Sequence, residues 1–243
     1  MTMRVLILGG GGPTSQGDEM PVWLAEHDGE LLVERFVRAC AGLEAQLVFA
    51  VRLQDLRRQR LDSVIELAAP GALVIPISGE TQGAACTALL CAACIVPDQS
   101  LLVLNNNEFL DVDYREAIAG FERRELDAGV VVFPSLHPRY SYVRVDQDGL
   151  ITEAAEKHPI SRHATAGFYW FRRGADFIEA AQDMIRKDAH HDGRFYISLV
   201  YNELVLKQRR LGIFEVASSR YHPLKSPQQV LAYEAGGSDE AQP

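Results

Sequence analysis

The sequence predicts an α/β domain in which a mainly parallel sheet carries helices on both faces. Short apolar runs bounded by glycine, proline or polar residues recur through the first 133 residues, most of them separated by stretches of helical periodicity. The clearest runs are apolar at consecutive positions, as strands covered on both faces are. No internal repeat or linker interrupts the chain, so a single domain is expected.

Taken in order, residues 4–8 (RVLIL) read as a buried strand that ends in Gly9, Gly10, Gly11 and Gly12. Four glycines make a turn without side chains, which lets a phosphate or a base approach the backbone amides. A Walker loop would continue with Gly-Lys-Ser/Thr and a dinucleotide fingerprint would open a helix. Here Pro13 to Gly17 prolong the loop, so neither assignment holds. Residues 20–40 read as an extended piece, a turn at Asp28-Gly29 and a helix carrying Leu31, Leu32, Phe36 and Val37 at near-helical spacing. Residues 46–51 are a second strand, and 52–61 (RLQDLRRQRL) one basic amphipathic helix whose Arg57, Arg58 and Arg60 form a solvated face.

Residues 73–77 (LVIPI) are a third strand, followed by a loop and a helix rich in small residues. Thr81 is available to cap that helix. Residues 101–104 (LLVL) are a fourth strand, running into Asn105, Asn106 and Asn107. A helix over 114–126 and a strand over 130–133 complete the first half. The glycine loop, Gln82 and residues 105–108 all follow predicted strands, and in open α/β sheets ligands bind beyond those ends.

The stretch 141–171 reads as strand, turn at Asp148-Gly149, strand over 150–155, polar break, and strand over 166–171. The break opens with Glu156-Lys157, an adjacent carboxylate and ammonium where a sheet gives way to a loop. On its own such a dipeptide is also an ordinary solvated ion pair. A helix over 175–186, an exposed turn at His190-His191-Asp192-Gly193 and a strand over 211–216 follow. Residues 235–243 are a polar tail read as disordered.

Composition bounds the partners. Hydrophobic residues make up 47% of the 243, enough for a full core, and the formal charge of −9 argues against a nucleic-acid backbone or an anionic membrane as partner. A local basic pocket for a nucleotide phosphate is compatible with it. With no apolar run of 18 residues and a start that goes straight into a strand, a cytoplasmic protein is expected. Cys86, Cys91 and Cys94 sit in one apolar helical stretch and read as small buried hydrophobes. The single CxxC has no second pair to complete a metal site.

The run SYVRVDQDGLITEAAEKHPISRHATAGFYWF resembles the sugar-phosphate nucleotidyltransferases, and most closely their branch associated with capsular polysaccharide genes, often labelled family 2 glycosyltransferase-like. Ser141, Tyr142, Val143, Glu156, Lys157, Ile160, Ser161, Ala164, Gly167, Tyr169 and Phe171 carry the match. The likeness extends over roughly residues 3–234, through TQGAACTALL, LNNNEFLD and FYISLVYN. It implies a nucleotide-diphospho-sugar transferase (GT-A-like) fold with a mixed, mostly parallel central sheet. A nucleotide half would occupy about 1–133 and an acceptor half about 134–234.

The resemblance also implies roles. Leu8, Gly9 to Gly12, Gln82, Gly83, Thr87, Asn105 and Asn106 would bind the nucleotide, with Gln82 on the base edge. Tyr142, Glu156, Lys157, Gly167, Tyr196 and Asn202 would border the acceptor, with Lys157 and Glu156 as the catalytic pair. The family's metal-holding Asp is replaced by Asn107, a weaker ligand for Mg2+, so a weakened magnesium site is expected unless Glu108, Asp111 or Asp113 supplies the charge. The glycine loop lacks the family's Arg, and Val22 and Trp23 stand where a Lys and a Pro are expected. Lys225-Ser226-Pro227 replaces Gly-Thr-Pro near the end. Three readings stay open: nucleotidyl transfer to a sugar 1-phosphate, glycosyl transfer from an NDP-sugar, and non-catalytic binding of a nucleotide sugar. The expected partners are a nucleotide and a phosphorylated sugar, and a homo-oligomer stays open.

Overall fold

The computed structural model describes residues 3–9 and 20–236. Gly10, Gly11 and Gly12 of the predicted glycine loop, and residues 237–243 of the tail, lie outside them. The chain opens with β1 (Met3–Gly9), a hairpin of β2 (Glu26–His27) and β3 (Glu30–Leu31), α1 (Leu32–Ala39) and β4 (Ala45–Arg52). Then come α2 (Leu53–Gln59), α3 (Leu61–Ala68), β5 (Leu73–Ile77), α4 (Ala84–Leu90), β6 (Leu101–Asn105), β7 (Glu108–Leu110) and α5 (Tyr114–Arg123). The second half holds β8 (Ala128–Pro134), β9 (Ser141–Val145), β10 (Ile151–Glu156), β11 (His163–Phe171), α6 (Gly174–Arg186) and α7 (Ile197–Leu206). It closes with β12 (Leu211–Glu215), β13 (Tyr221–Pro223) and α8 (Pro227–Glu234).

The central sheet has nine strands in the order β10-β9-β11-β6-β1-β4-β5, with β8 and β12 continuing from β11. Strands β5, β4, β1 and β6 pair in parallel, as do β8 and β12. Strand β11 is antiparallel to β6, β8 and β9, and β10 is antiparallel to β9. Only β10 and β11 therefore run against the rest, which makes the sheet mixed and mostly parallel. Strand β1 shows why its sequence is continuously apolar. Val5 and Ile7 enter one core with α1, α3 and α5, while Leu6 and Leu8 enter the other with α4, α6 and α7.

The helices follow their spacing. Tyr114, Ala117, Ile118 and Phe121 on α5, and Phe177, Ala180, Ala181 and Met184 on α6, each recur at i, i+3, i+4, i+7 and are buried. Asp113 caps α5, its carboxylate accepting from Arg115 N–H at 2.9 Å. In the β2–β3 turn both Asp28 (φ 55°) and Gly29 (φ 76°) are left-handed, the backbone a two-residue hairpin requires.

The strand expected over 166–171 already begins at His163, Cys86 and Cys94 are half-buried where buried hydrophobes are expected, and two helix expectations change. The single helix over 52–61 breaks at Arg60, which is left-handed (φ 50°, ψ 39°), and a second helix begins at Leu61. The physical reason is burial: Leu61 and Ile65 have no exposed surface, and the kink turns them into the core while Arg57 and Arg58 stay in solvent. Thr81 does not cap α4. Gly83 holds that position, and the Thr81 hydroxyl pairs instead with that of Thr87 at 2.6 Å.

Trp23, which stands where the resemblance implies a proline, is wholly buried against Phe36 and Phe49 at ring distances of 6.3 and 5.8 Å. It covers Gly9 so closely that a Cβ there would lie 2.2 Å from the indole. The glycine at the end of β1 is thus required by packing.

Candidate functional site

Beyond the carboxyl ends of β1 and β6 lies a crevice of about 500 Å³. Leu8 and Asn105 mark those two strand ends, Gly83 and Thr87 the start of α4, and Glu156 the end of β10. Arg139, Lys157, Arg194 and Lys225 also line it, against the carboxylates of Glu108 and Glu156. Cations outnumber anions here although the whole chain carries −9. That excess suits a phosphate.

Glu156 is buried at the last position of β10. Its Oε2 accepts from the hydroxyls of Ser141, opposite it on β9, and of Ser198 on α7, the latter at 3.2 Å. Among the described residues both bonds fall on that one oxygen. Burial pushes the Glu156 carboxyl above its ordinary value, and the Ser141 hydrogen bond, Lys225, Ser198 and Lys157 each pull it back in part. A raised folded-state value means that the folded protein holds this proton more tightly than the unfolded chain does. Stability from this group is therefore full below the unfolded carboxylate range and is lost as pH rises through the folded value. The stability of wild type relative to Glu156→Gln is accordingly expected to fall with rising pH across and just above that range, as read by urea unfolding at a series of pH values. A flat difference would show that burial does not control this carboxyl.

Lys157 follows with a left-handed backbone (φ 52°), which turns its side chain out of the sheet and into the crevice mouth. Its Nζ lies 3.9 Å from Asp192 and 5.9 Å from the centre of the Tyr196 ring.

The opposite wall is built around Glu108. Its carboxylate is 4% exposed and takes three donors: Asn105 Nδ2 at 2.8 Å on Oε1, and the Tyr221 hydroxyl at 2.7 Å and Lys225 Nζ at 3.0 Å on Oε2. Strand β13 brings Tyr221 and Lys225 there by pairing antiparallel with β7, Pro223 opposite Glu108. Leu224 N–H donates to the Asn107 carbonyl at 2.8 Å and ties the two segments together. Gly167 makes room for the carboxylate. It sits at an irregularity of β11 with φ 68°, and a Cβ there would stand 2.3 Å from Glu108 Oε1. Lys225 Nζ also lies 5.6 Å from the centre of the Tyr140 ring.

Of the residues singled out in the sequence, Leu8, Gly83, Thr87, Asn105, Asn106, Asn107, Glu156, Lys157 and Tyr196 come together in this crevice. Gln82 is exposed and outside the lining, where its neighbours Thr81 and Gly83 stand. Gly9 lies under Trp23. The Tyr142 hydroxyl donates to the His137 carbonyl at 2.6 Å, and Gly167 contributes space for Glu108. Asn202 clamps α7 to β10, accepting from Ala154 N–H at 2.8 Å and donating to its carbonyl at 2.9 Å. Arg139, Arg194, Ser198 and Lys225 line the crevice without having been chosen. Only Lys225, as a departure from the family pattern, left a signal in the sequence.

Among the described residues, those near Asn107 do not fit a resident magnesium ion. Glu108 already accepts from three donors, Asp111 pairs with Arg220 at 3.3 Å, and Asp113 caps α5 while pairing with Arg115 at 2.9 Å. Among the described residues no group of three or more His, Cys, Asp or Glu side chains is placed to hold a metal ion. Asn107 contributes a neutral amide to the lining, and a hard dication needs more than that.

Sheet order, layering and the crevice beyond the strand ends define a single-domain α/β protein with the nucleotidyltransferase, or NDP-sugar pyrophosphorylase, fold. The profile of the nucleotidyl transferase family matches residues 42–199, and the chain belongs to that family. Among solved structures it is similar to a nucleoside-diphosphate-sugar pyrophosphorylase from Vibrio cholerae RC9, with a TM-score of 0.80 at 21% identity over 95% of this chain and 99% of that one. It is similar also to a UDP-glucose pyrophosphorylase complexed with UDP-glucose, with a TM-score of 0.74 at 12% identity over 97% and 98% of the two chains. A search of curated protein sequences finds no match. At these identities the solved structures establish the fold. No helix among the described residues is long and apolar enough to cross a membrane.

Proposed function

We propose that this protein transfers a nucleotidyl group from an NTP to a sugar 1-phosphate or a similar phosphorylated acceptor, in surface polysaccharide biosynthesis. An oxygen of the acceptor's phosphate attacks the α-phosphorus in line, the bond from that phosphorus to the bridging oxygen breaks, and pyrophosphate leaves with the bonding pair. The products are an NDP-sugar and pyrophosphate. No general base is needed, because a phosphate monoester is already an anionic nucleophile.

The observation that carries this reading is the Glu156–Lys157 pair at the crevice mouth. Among the described residues, a buried carboxylate that takes both of its hydroxyl donors on Oε2 stands next to an ammonium whose one ion pair, with Asp192, is 3.9 Å long. Glu156 Oε1 would accept from an acceptor hydroxyl and Lys157 would pair with its phosphate, which holds the nucleophile in position. The backbone around Leu8 and Gly83, both in the crevice lining, would face the nucleotide. A second reading, a nucleotide-sugar-binding protein without transfer activity, draws on Val22 and Trp23, which put no cation where the resemblance implies a lysine.

Calorimetric titration with CTP, UTP, ATP and GTP, each free and as its magnesium complex, tests the first reading, followed by pyrophosphate release with glucose 1-phosphate and other sugar 1-phosphates. Binding of one triphosphate with acceptor-dependent pyrophosphate release is expected. If NDP-sugars bind and no triphosphate does, nucleotidyl transfer is ruled out.

A further inference from the structure

We propose that Lys225 is the resident cation for phosphate in this crevice, doing with a side chain what a bound divalent metal would otherwise do, so that phosphoanhydride binding needs no metal held by the protein. The inference rests on nucleotidyl transfer only for its consequence in the reaction. The binding claim stands on geometry.

Three observations lead to it. Among the described residues Glu108, Asp111 and Asp113 each already hold a basic partner, and no three acidic side chains converge in this corner on a dication. The corner holds an ammonium in its place, with Lys225 Nζ 3.0 Å from Glu108 Oε2 and lining the crevice with about a third of its side chain exposed. Glu108 in turn is an anchor. It is fixed by Asn105 and Tyr221 as well, so it holds the ammonium in place without moving.

An ammonium has three donors. Among the described residues Glu108 takes one, and oxygens of a ligand would take the others. Backbone bonds fix the base of the side chain, since Leu224 N–H donates to Asn107 and Lys225 N–H donates to the Gln229 side chain at 2.9 Å. Such prior placement is what makes a charge effective against a phosphate whose charge shifts during transfer. The plain alternative is that Lys225 serves only to neutralise the buried Glu108.

The test uses the full chain and inorganic pyrophosphate, which carries no base or sugar to confuse the result. Lys225→Met alone would strand the Glu108 carboxylate and lower Tm, so the informative variant is the double replacement Glu108→Gln/Lys225→Met, which removes both charges together. Wild type is expected to bind pyrophosphate in EDTA, with affinity changed by less than about twofold when magnesium is added. The double variant is expected to keep the wild-type Tm to within a few degrees and to bind about tenfold more weakly or worse, whether or not magnesium is present. The proposal is overturned if wild type binds pyrophosphate only with magnesium or not at all, or if the double variant binds as wild type does. Pyrophosphate binding in EDTA without any nucleotidyl transfer would sink the proposed activity and leave Lys225's role standing. Transfer that depends on a metal bound by the free protein would sink the proposal and leave the activity standing.

Discussion

Lys157→Met is expected to lower kcat/KM for NDP-sugar formation by about 10²–10³ while changing unfolding stability by no more than about 0.5 kcal/mol. The two effects separate because of where the side chain sits. It is 43% exposed, and its ion-pair partner Asp192 is 73% exposed and 3.9 Å away, so the pair adds almost nothing to the fold. Its charge, in contrast, faces a crevice with the buried Glu156 beside it, where a positioned cation acts on phosphate in a partly desolvated setting. Methionine keeps an apolar stem of similar length and removes the charge. Steady-state rates with the acceptor varied, alongside urea unfolding, check it. A variant that turns over like wild type would remove Lys157 from the reaction.

Gly167→Ala is expected to destabilise the protein by roughly 2–5 kcal/mol, through two separable causes. The backbone there is left-handed (φ 68°), which an alanine adopts at a cost of about 1–2 kcal/mol. The new methyl would also lie 2.3 Å from Glu108 Oε1 and 2.5 Å from its Cδ, and three donors prevent that carboxylate from swinging aside. In a chain of this size each kcal/mol lowers Tm by about 2–4 °C. Gly149→Ala serves as the control. It shares the left-handed backbone (φ 69°), and its nearest neighbour is the flexible end of Arg124 at 3.4 Å. It should show the backbone cost alone. Equal losses at the two glycines would mean that Glu108 yields easily and is not a fixed anchor.

Much of this could be read from the chain. The turn at Asp28-Gly29 and the helix over α5 follow from local rules, and each stands as the residues imply, whereas in the turn at His190-His191 only His190 is exposed and His191 is half-buried. The break at Arg60 could not be read, because periodicity alone runs through it and only the burial of Leu61 and Ile65 forces the bend. Within the site, Glu156 and Lys157 were legible as neighbours in sequence at a strand end. Asn202 was legible as a significant residue, yet its clamp on Ala154 joins positions 48 apart.

The division has a physical basis. Strand and helix patterning, turn residues and the adjacent Glu156-Lys157 pair are short-range properties, decided by backbone preferences and by which side chains avoid water, so the sequence alone determines them. The anchoring of Lys225 on Glu108, with the space that Gly167 leaves for the carboxylate, depends on the register of β13 against β7 and on an irregularity in β11. The Lys225 and Tyr221 contacts with Glu108 join segments more than a hundred residues apart and the Gly167 contact joins β11 to β7, where no local preference acts, and only the folded arrangement of the whole sheet brings that charge into the crevice.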